Sequence, residues 1–221
     1  TSLVEKYSTD RIAGTAGDVT SLDPVKNLWE ESFKAFGRID IWINNAGISH
    51  EQAPPWAIPV DQLQSVIETN ILGELFGTRV AMQGFLDQGF GALYNVEGMG
   101  GDGKTHGVKG LSVYGMTKAG LHYFNRCLAK ELEHSHIITG ALQPGMVLTD
   151  MIMDRYQNRP EDWEVDRKVL SIIANPIEDV AVWMAEKILN NEKNGAYFKY
   201  SNSWRILKRM VRSFFQSNNL L

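Results

Sequence analysis

The sequence is short of several things, and each shortage removes a class of protein. Among 221 residues there is a single cysteine, Cys127, so no intrachain disulfide can form and stability has to come from packing. No apolar run approaches the ~18 residues that a membrane-spanning helix needs. Charge of one sign is scarce too: 22 Lys and Arg against 26 Asp and Glu leave a formal −4, which provides no basic field for a nucleic acid. Internal repeats, low-complexity runs and linkers are absent. With 43% hydrophobic residues over this length, one large globular domain is expected.

What is present alternates between two periods. Residues 11–19 (RIAGTAGDV), 39–45 (IDIWINN), 91–96 (GALYNV), 136–143 (HIITGALQ) and 196–200 (AYFKY) are short and rich in β-branched or aromatic side chains, which predicts strands. Helix-length stretches lie between them at 21–36, 60–87, 113–134 and 177–190. The third has a broad apolar arc in which Leu121, Phe124 and Leu128 mix with Ala119, Tyr123, Arg126 and Leu132. Cys127 falls in that helix and reads as a half-buried thiol. Strands alternating with helices predict an α/β fold, a doubly wound parallel sheet, over residues 1–200, with 201–221 as an extension. Segments 97–112 and 144–166 look irregular, and both follow strands. Ligands of open parallel sheets bind beyond the carboxyl ends of the strands, so these segments should border the site.

One short motif there carries chemistry. In SVYGMTK (112–118), Tyr114 and Lys118 are one helical turn apart, close enough for the ammonium to favour the phenolate of a group whose ordinary pKa is near ~10. Of seven tyrosines, only Tyr114 has a lysine four places on. Four other blocks accompany it in order: GDVTS (17–21), NNAG (44–47), Asn70 within ETNILGELFGTRVAM, and PGMVLTD (144–150). Together these resemble the short-chain dehydrogenase/reductase family, from about residue 8 to residue 200.

The resemblance implies a Rossmann-type fold, NAD or NADP as cofactor, and hydride transfer between a carbonyl and an alcohol. It implies Tyr114 as general acid or base, Lys118 as its tuner and holder of the ribose hydroxyls, and Asn70 in a proton path through a bound water. It places Asp18 and Val19 at the adenine, Asn45, Ala46 and Gly47 along the ribose, and Pro144, Gly145, Val147 and Thr149 around the nicotinamide, with Asn44 tying neighbouring strands together. Plainer readings stay open: Asp18 as a turn residue, and Asn70 as an amide patching a helix kink. No metal is implied.

Two departures from the family pattern stand out. Where the family has N-x-S-S, residues 95–98 read NVEG, so Glu97 and Gly98 replace two serines, one of which holds the substrate carbonyl. A glutamate there would oppose a developing oxyanion. Ser112 is the favoured substitute, with Thr105 and the backbone of the 98–101 turn as alternatives. NVEG, the glycine-rich stretch after it, YGMTK and PGMVLTD resemble the chlorophyll b reductase branch and its bacterial relatives. The second departure is the absence of the phosphate-binding TGxxxGxG loop. The family begins some 45 residues before Thr1, with two strands that stand between 11–19 and 39–45, so a missing N-terminal part is expected. The choice between NAD and NADP and any targeting segment are then unreadable.

The remaining expectations concern substrate, partners and place. Met151, Met153, Tyr156 and Trp163 could line an apolar substrate pocket or anchor a lid. After Glu192 no acidic residue occurs, and 204–215 forms an amphipathic basic pattern suited to a membrane surface, to its own domain or to a partner subunit. The resemblance implies a homodimer or homotetramer formed through 60–87 and 113–134. A cytoplasmic location, with peripheral membrane contact as an option, follows from these readings. The alternative to an enzyme is a non-catalytic member that binds a nucleotide or a partner.

Overall fold

The computed structural model describes residues 6–8, 10–101, 107–157 and 160–200. Four strands, β1 (Ile41–Asn44), β2 (Gly91–Val96), β3 (Ile137–Gln143) and β4 (Ala196–Lys199), form one sheet in the order β1-β2-β3-β4. Every pairing is parallel, with Ile41 opposite Ala92, Gly91 opposite Ile137 and Gly140 opposite Ala196. The helices are α1 (Leu22–Phe36), α2 (Val60–Ile67), α3 (Glu74–Gln88), α4 (Ser112–Glu131), α5 (Asp150–Gln157), α6 (Pro160–Ile173) and α7 (Ile177–Leu189).

Side chains of a strand alternate between the two faces of the sheet, and β2 shows what that does here. Leu93 packs with Trp29 of α1, Ala81 and Phe85 of α3, and Leu128 of α4. Its neighbour Tyr94 points the other way, onto Leu142 of β3 and Met184 and Ile188 of α7. Helices therefore cover both faces, and β2 and β3 read as nearly continuous apolar runs because neither face meets water.

Four of the five expected strands form, and the fifth does not. Residues 11–19 run without regular structure and are mostly exposed. Their β-branched character cannot make a strand alone, because a strand needs a ladder partner, and none of the described residues supplies one. The 60–87 stretch divides into α2, a π-helical turn at Glu68–Gly73, and α3. Segment 144–166, expected to be irregular, holds α5 and the start of α6. Charged residues blur the period there, while Pro160 at the first position of α6 is the start signal that reveals it. The apolar arc of α4 is narrower than expected, since Leu121, Leu128 and Leu132 are buried but Tyr123 is 70% exposed. Thr105 and the 204–215 pattern lie outside the described residues.

Candidate active site

The carboxyl ends of β1 and β2 meet the first two turns of α4, and the site is built there. Tyr114, Lys118, His122 and Asn125 fall four, four and three residues apart, so one stripe of α4 faces the end of β2. Lys118 is buried, and its Nζ donates to the Val96 carbonyl at 3.2 Å. Tyr114 stands beside it over Gly98, whose Cβ, if present, would lie 2.2 Å from Tyr114 Oη and 3.2 Å from Lys118 Cγ. The sequence pair is therefore a spatial pair.

Asn70 enters from the π-helical turn, a distortion that recurs at functional sites. Its Oδ1 accepts from the Ile48 N–H at 2.8 Å, and its Nδ2 donates to the Ile48 carbonyl at 2.9 Å and to Thr117 Oγ1 at 3.1 Å. The amide thus ties the loop after β1 to α4, so it does not patch its own helix. A Cβ on Gly47 would sit 3.4 Å from both Asn70 Oδ1 and Lys118 Nζ. Gly47, Asn70 and Lys118 converge on one point.

Asn44 joins strands, as expected: its Nδ2 donates to Asn95 Oδ1 at 2.8 Å and to Thr78 Oγ1 at 3.2 Å, while Trp42 Nε1 donates to its Oδ1 at 2.7 Å. Asn95 donates in turn to Asn125, and Asn125 Nδ2 to Glu97 Oε1 at 3.1 Å. Both Glu97 oxygens accept from His122 Nδ1, at 3.1 and 3.2 Å.

The other expected residues lie around this point. Ser112 opens α4 and is exposed. Asn45 and Ala46 are exposed after β1. Pro144 to Thr149 follow β3, where Val147 bridges to Asn175, Asn175 Nδ2 donates to the Met146 carbonyl at 3.0 Å, and the Thr149 carbonyl accepts the N–H groups of Ile152 and Met153 in the first turn of α5. Asp18 accepts from the Thr20 N–H at 2.9 Å and Thr20 Oγ1 at 2.8 Å, which holds its carboxyl below the usual range and matches the turn reading. Val19 packs on Gly73. Met151 and Trp163 are half-buried and Met153 is exposed; Tyr156 has no described side chain.

Three participants escaped the sequence reading. His50 is buried, donates from Nδ1 to the Glu51 carbonyl at 2.7 Å and accepts the Tyr114 N–H on Nε2 at 3.3 Å, so it secures the first turn of α4. His122 holds Glu97. Glu74 is 5% exposed, and burial pushes its pKa up to about 8, against the pull of Lys118 and with help from Glu97. The same burial lowers the pKa of Lys118, with Glu74 and Glu97 opposing. A signal for Glu74 existed: it is a charge four residues beyond Asn70 in an otherwise apolar run.

Comparison with known proteins settles the family. The short chain dehydrogenase model matches residues 2–160. The chain belongs to this family. The probable chlorophyll(ide) b reductase NYC1 of Oryza sativa subsp. japonica is 30% identical to this short chain dehydrogenase over 205 residues, 92% of this chain and 39% of the relative. The chlorophyll(ide) b reductase NOL of Arabidopsis thaliana is 32% identical over 192 residues, 85% of this chain and 53% of the relative. These relatives agree with the branch to which NVEG pointed. The chain spans only about two-fifths to about half of their length. A structure titled ElxO with NADP bound superposes with a TM-score of 0.75 at 24% identity, covering 89% of this chain and 80% of that one, a likeness of fold.

Proposed function

We propose that this protein is an NAD(P)-dependent oxidoreductase that interconverts a carbonyl and an alcohol by hydride transfer, with Tyr114 as acid in reduction and base in oxidation. The convergence of Tyr114, Lys118, Asn70 and Gly47 at the ends of β1 and β2 carries this reading. A nicotinamide dinucleotide supplies or accepts the hydride when bound. The residues present fit its nicotinamide and ribose half: the missing side chain of Gly47 leaves a cradle between the loop after β1 and Lys118 Nζ. Asn45 to Gly47 would run along the ribose, Lys118 would hold its hydroxyls, Val147 and Thr149 would meet the carboxamide side, and Asp18 and Val19 the adenine.

The chain's own residues manage the proton. Lys118, while protonated, favours the phenolate and so brings the Tyr114 pKa down towards neutrality. His50 and Thr117 hold the turn that carries Tyr114, Thr117 Oγ1 donating to the Tyr114 carbonyl at 2.7 Å. Ser112 is the favoured partner for the substrate oxygen. The relatives' names make chlorophyll(ide) b the first carbonyl compound to try. Exposed Ile67, Leu72, Leu75, Met116 and Tyr123 support pairing of two copies through α2, the π-helical turn, α3 and α4. Among the described residues no helix is long and apolar enough to cross a membrane.

Tyr114→Phe in the full-length protein is the test. Expected are a fall in turnover of at least about 100-fold and cofactor binding within a few-fold of wild type. Unchanged turnover overturns the assignment. A second reading, a nucleotide-binding member without activity, is favoured by Gly98 where the family has a serine hydroxyl. It would show as cofactor fluorescence that changes on binding and is never lost to any carbonyl compound.

A further inference from the structure

Past Val96 the chain leaves the sheet, and its next residues are poorly able to hold themselves. The Glu97 N–H still donates to the Leu142 carbonyl of β3 at 2.8 Å. Gly98, Gly100 and Gly101 follow, and glycine has the most backbone freedom to lose. Yet two groups of the site rest on this stretch: Lys118 Nζ donates to the Val96 carbonyl at 3.2 Å, and Tyr114 Oη lies over Gly98. Side chains take over where the strand stops. Asn95 lies opposite Ala141 and Ala141 opposite Tyr197, so Asn95, Gln143 and Tyr197 share one face of the sheet, the face on which Asn95 bonds Asn125 of α4.

Two arms run from that face to the glycine stretch. In the first, His122 Nδ1 donates to both oxygens of Glu97, at 3.1 and 3.2 Å, and Asn125 Nδ2 donates to its Oε1 at 3.1 Å, which fixes the residue next to Val96. In the second, Tyr197 Oη donates to Gln143 Oε1 at 2.7 Å, and Gln143 Nε2 donates to the Gly98 carbonyl at 3.3 Å. The arms meet at their outer ends, where the His122 and Tyr197 rings pack edge to face with centroids 5.3 Å apart. We propose that His122 and Tyr197 are positioning residues for the reaction: acting through Glu97 and Gln143, they fix the Val96 carbonyl that holds Lys118 and the Gly98 backbone beneath Tyr114. This rests on the function proposed above and deepens it.

The outer ends of the arms are also where the ring can be opened without wrecking the core. Glu97 is 2% exposed, and removing its carboxyl would leave the His122 and Asn125 donors unpaired. His122 and Tyr197 instead line a cavity of about 190 Å³, so trimming either one enlarges an existing space and opens no new void.

Two measurements on the full-length protein decide it. His122→Phe keeps a ring against Tyr197 and removes the bond to Glu97, while Tyr197→Phe keeps the ring against His122 and removes the bond to Gln143. In amide hydrogen exchange, Glu97 and Gly101, whose N–H groups donate to the Leu142 and Gly98 carbonyls, should exchange about tenfold faster in either variant, with residues 92–95 unchanged. In reduction of chlorophyllide b by NADPH, kcat per NADPH-binding site should fall about tenfold in His122→Phe and about threefold in Tyr197→Phe, with KM and the NADPH Kd within about twofold of wild type. His122→Gln, which can still donate to Glu97, should recover part of the loss. Unchanged exchange at Glu97 and Gly101, a wild-type kcat in both variants, or a loss as large in His122→Gln as in His122→Phe overturns the proposal while the proposed function stands. A wild type that binds NADPH and reduces no carbonyl compound overturns the function, and with it any role of the ring in turnover.

Discussion

Tyr114 and Gly98 are matched to each other: the phenol oxygen occupies the space where a side chain at position 98 would begin, 2.2 Å from an ideal Cβ. The glycine is therefore more than a lost hydroxyl. It lets Tyr114 lie down against the end of β2, next to Lys118, and any larger residue there has to push the phenol away.

Gly98→Ser, which restores the residue type usual in the family, should accordingly impair the protein. Tyr114 would be displaced by an ångström or more, and misplacement of that order costs about 100-fold in rate. Turnover should drop by roughly that factor while NADPH binding changes no more than a few-fold. Equal or higher turnover in the serine variant would mean that Tyr114 moves aside freely.

Gly77 bears on stability in the same way. A Cβ there would lie 2.0 Å from Asn44 Oδ1, and Asn44 cannot yield, being held by Trp42, Thr78 and Asn95. Overpacking at a fixed neighbour costs about 1–3 kcal/mol. Gly77→Ala should lower the unfolding midpoint by several degrees, and an unchanged midpoint in a thermal melt would show that α3 shifts to accommodate the methyl.

Much of this was legible in advance, and the failures have physical causes. The strands at 41–44, 91–96, 137–143 and 196–199 carry their β-branched and aromatic character openly, and the tyrosine–lysine spacing announced its own geometry. Residues 11–19 look as much like a strand as these, but strand formation is decided by a neighbour, which periodicity cannot report. The π-helical turn at Glu68–Gly73 depends on backbone hydrogen bonds that ordinary helical patterning does not reveal. Glu97 could be seen to conflict with a substrate carbonyl. That it turns to His122 and Asn125 could not, because those partners lie one and two turns beyond Lys118 on α4.

His50 offers a test of how Tyr114 is held. Its Nε2 accepts the Tyr114 N–H, which the helix leaves without an intrahelical acceptor. His50→Leu keeps the bulk and removes the acceptor, a loss of about 1 kcal/mol. A fall in kcat of about fivefold with KM nearly constant is expected, and His50→Asn should recover part of it. If kcat is untouched in the leucine variant, the bond does nothing for the position of the phenol.

Glu74 also makes stability depend on pH, apart from any activity. Its folded pKa, pushed up to about 8 from an ordinary 4.5, means that the folded chain binds a proton the unfolded chain releases. The stabilising contribution is complete below about pH 4.5 and is lost as the pH rises through about 8, with a slope of at most about 1.4 kcal/mol per pH unit. Lys118, whose pKa is lowered, works in the opposite sense: its contribution is largest above its ordinary value and is lost as the pH falls. Between pH 5 and 8 the Glu74 effect governs the difference between wild type and Glu74→Gln, which cannot ionise. Urea unfolding at pH 5, 6, 7 and 8 should show wild type losing stability relative to Glu74→Gln by a few kcal/mol across that range. A constant difference would place the buried carboxyl in the ordinary range.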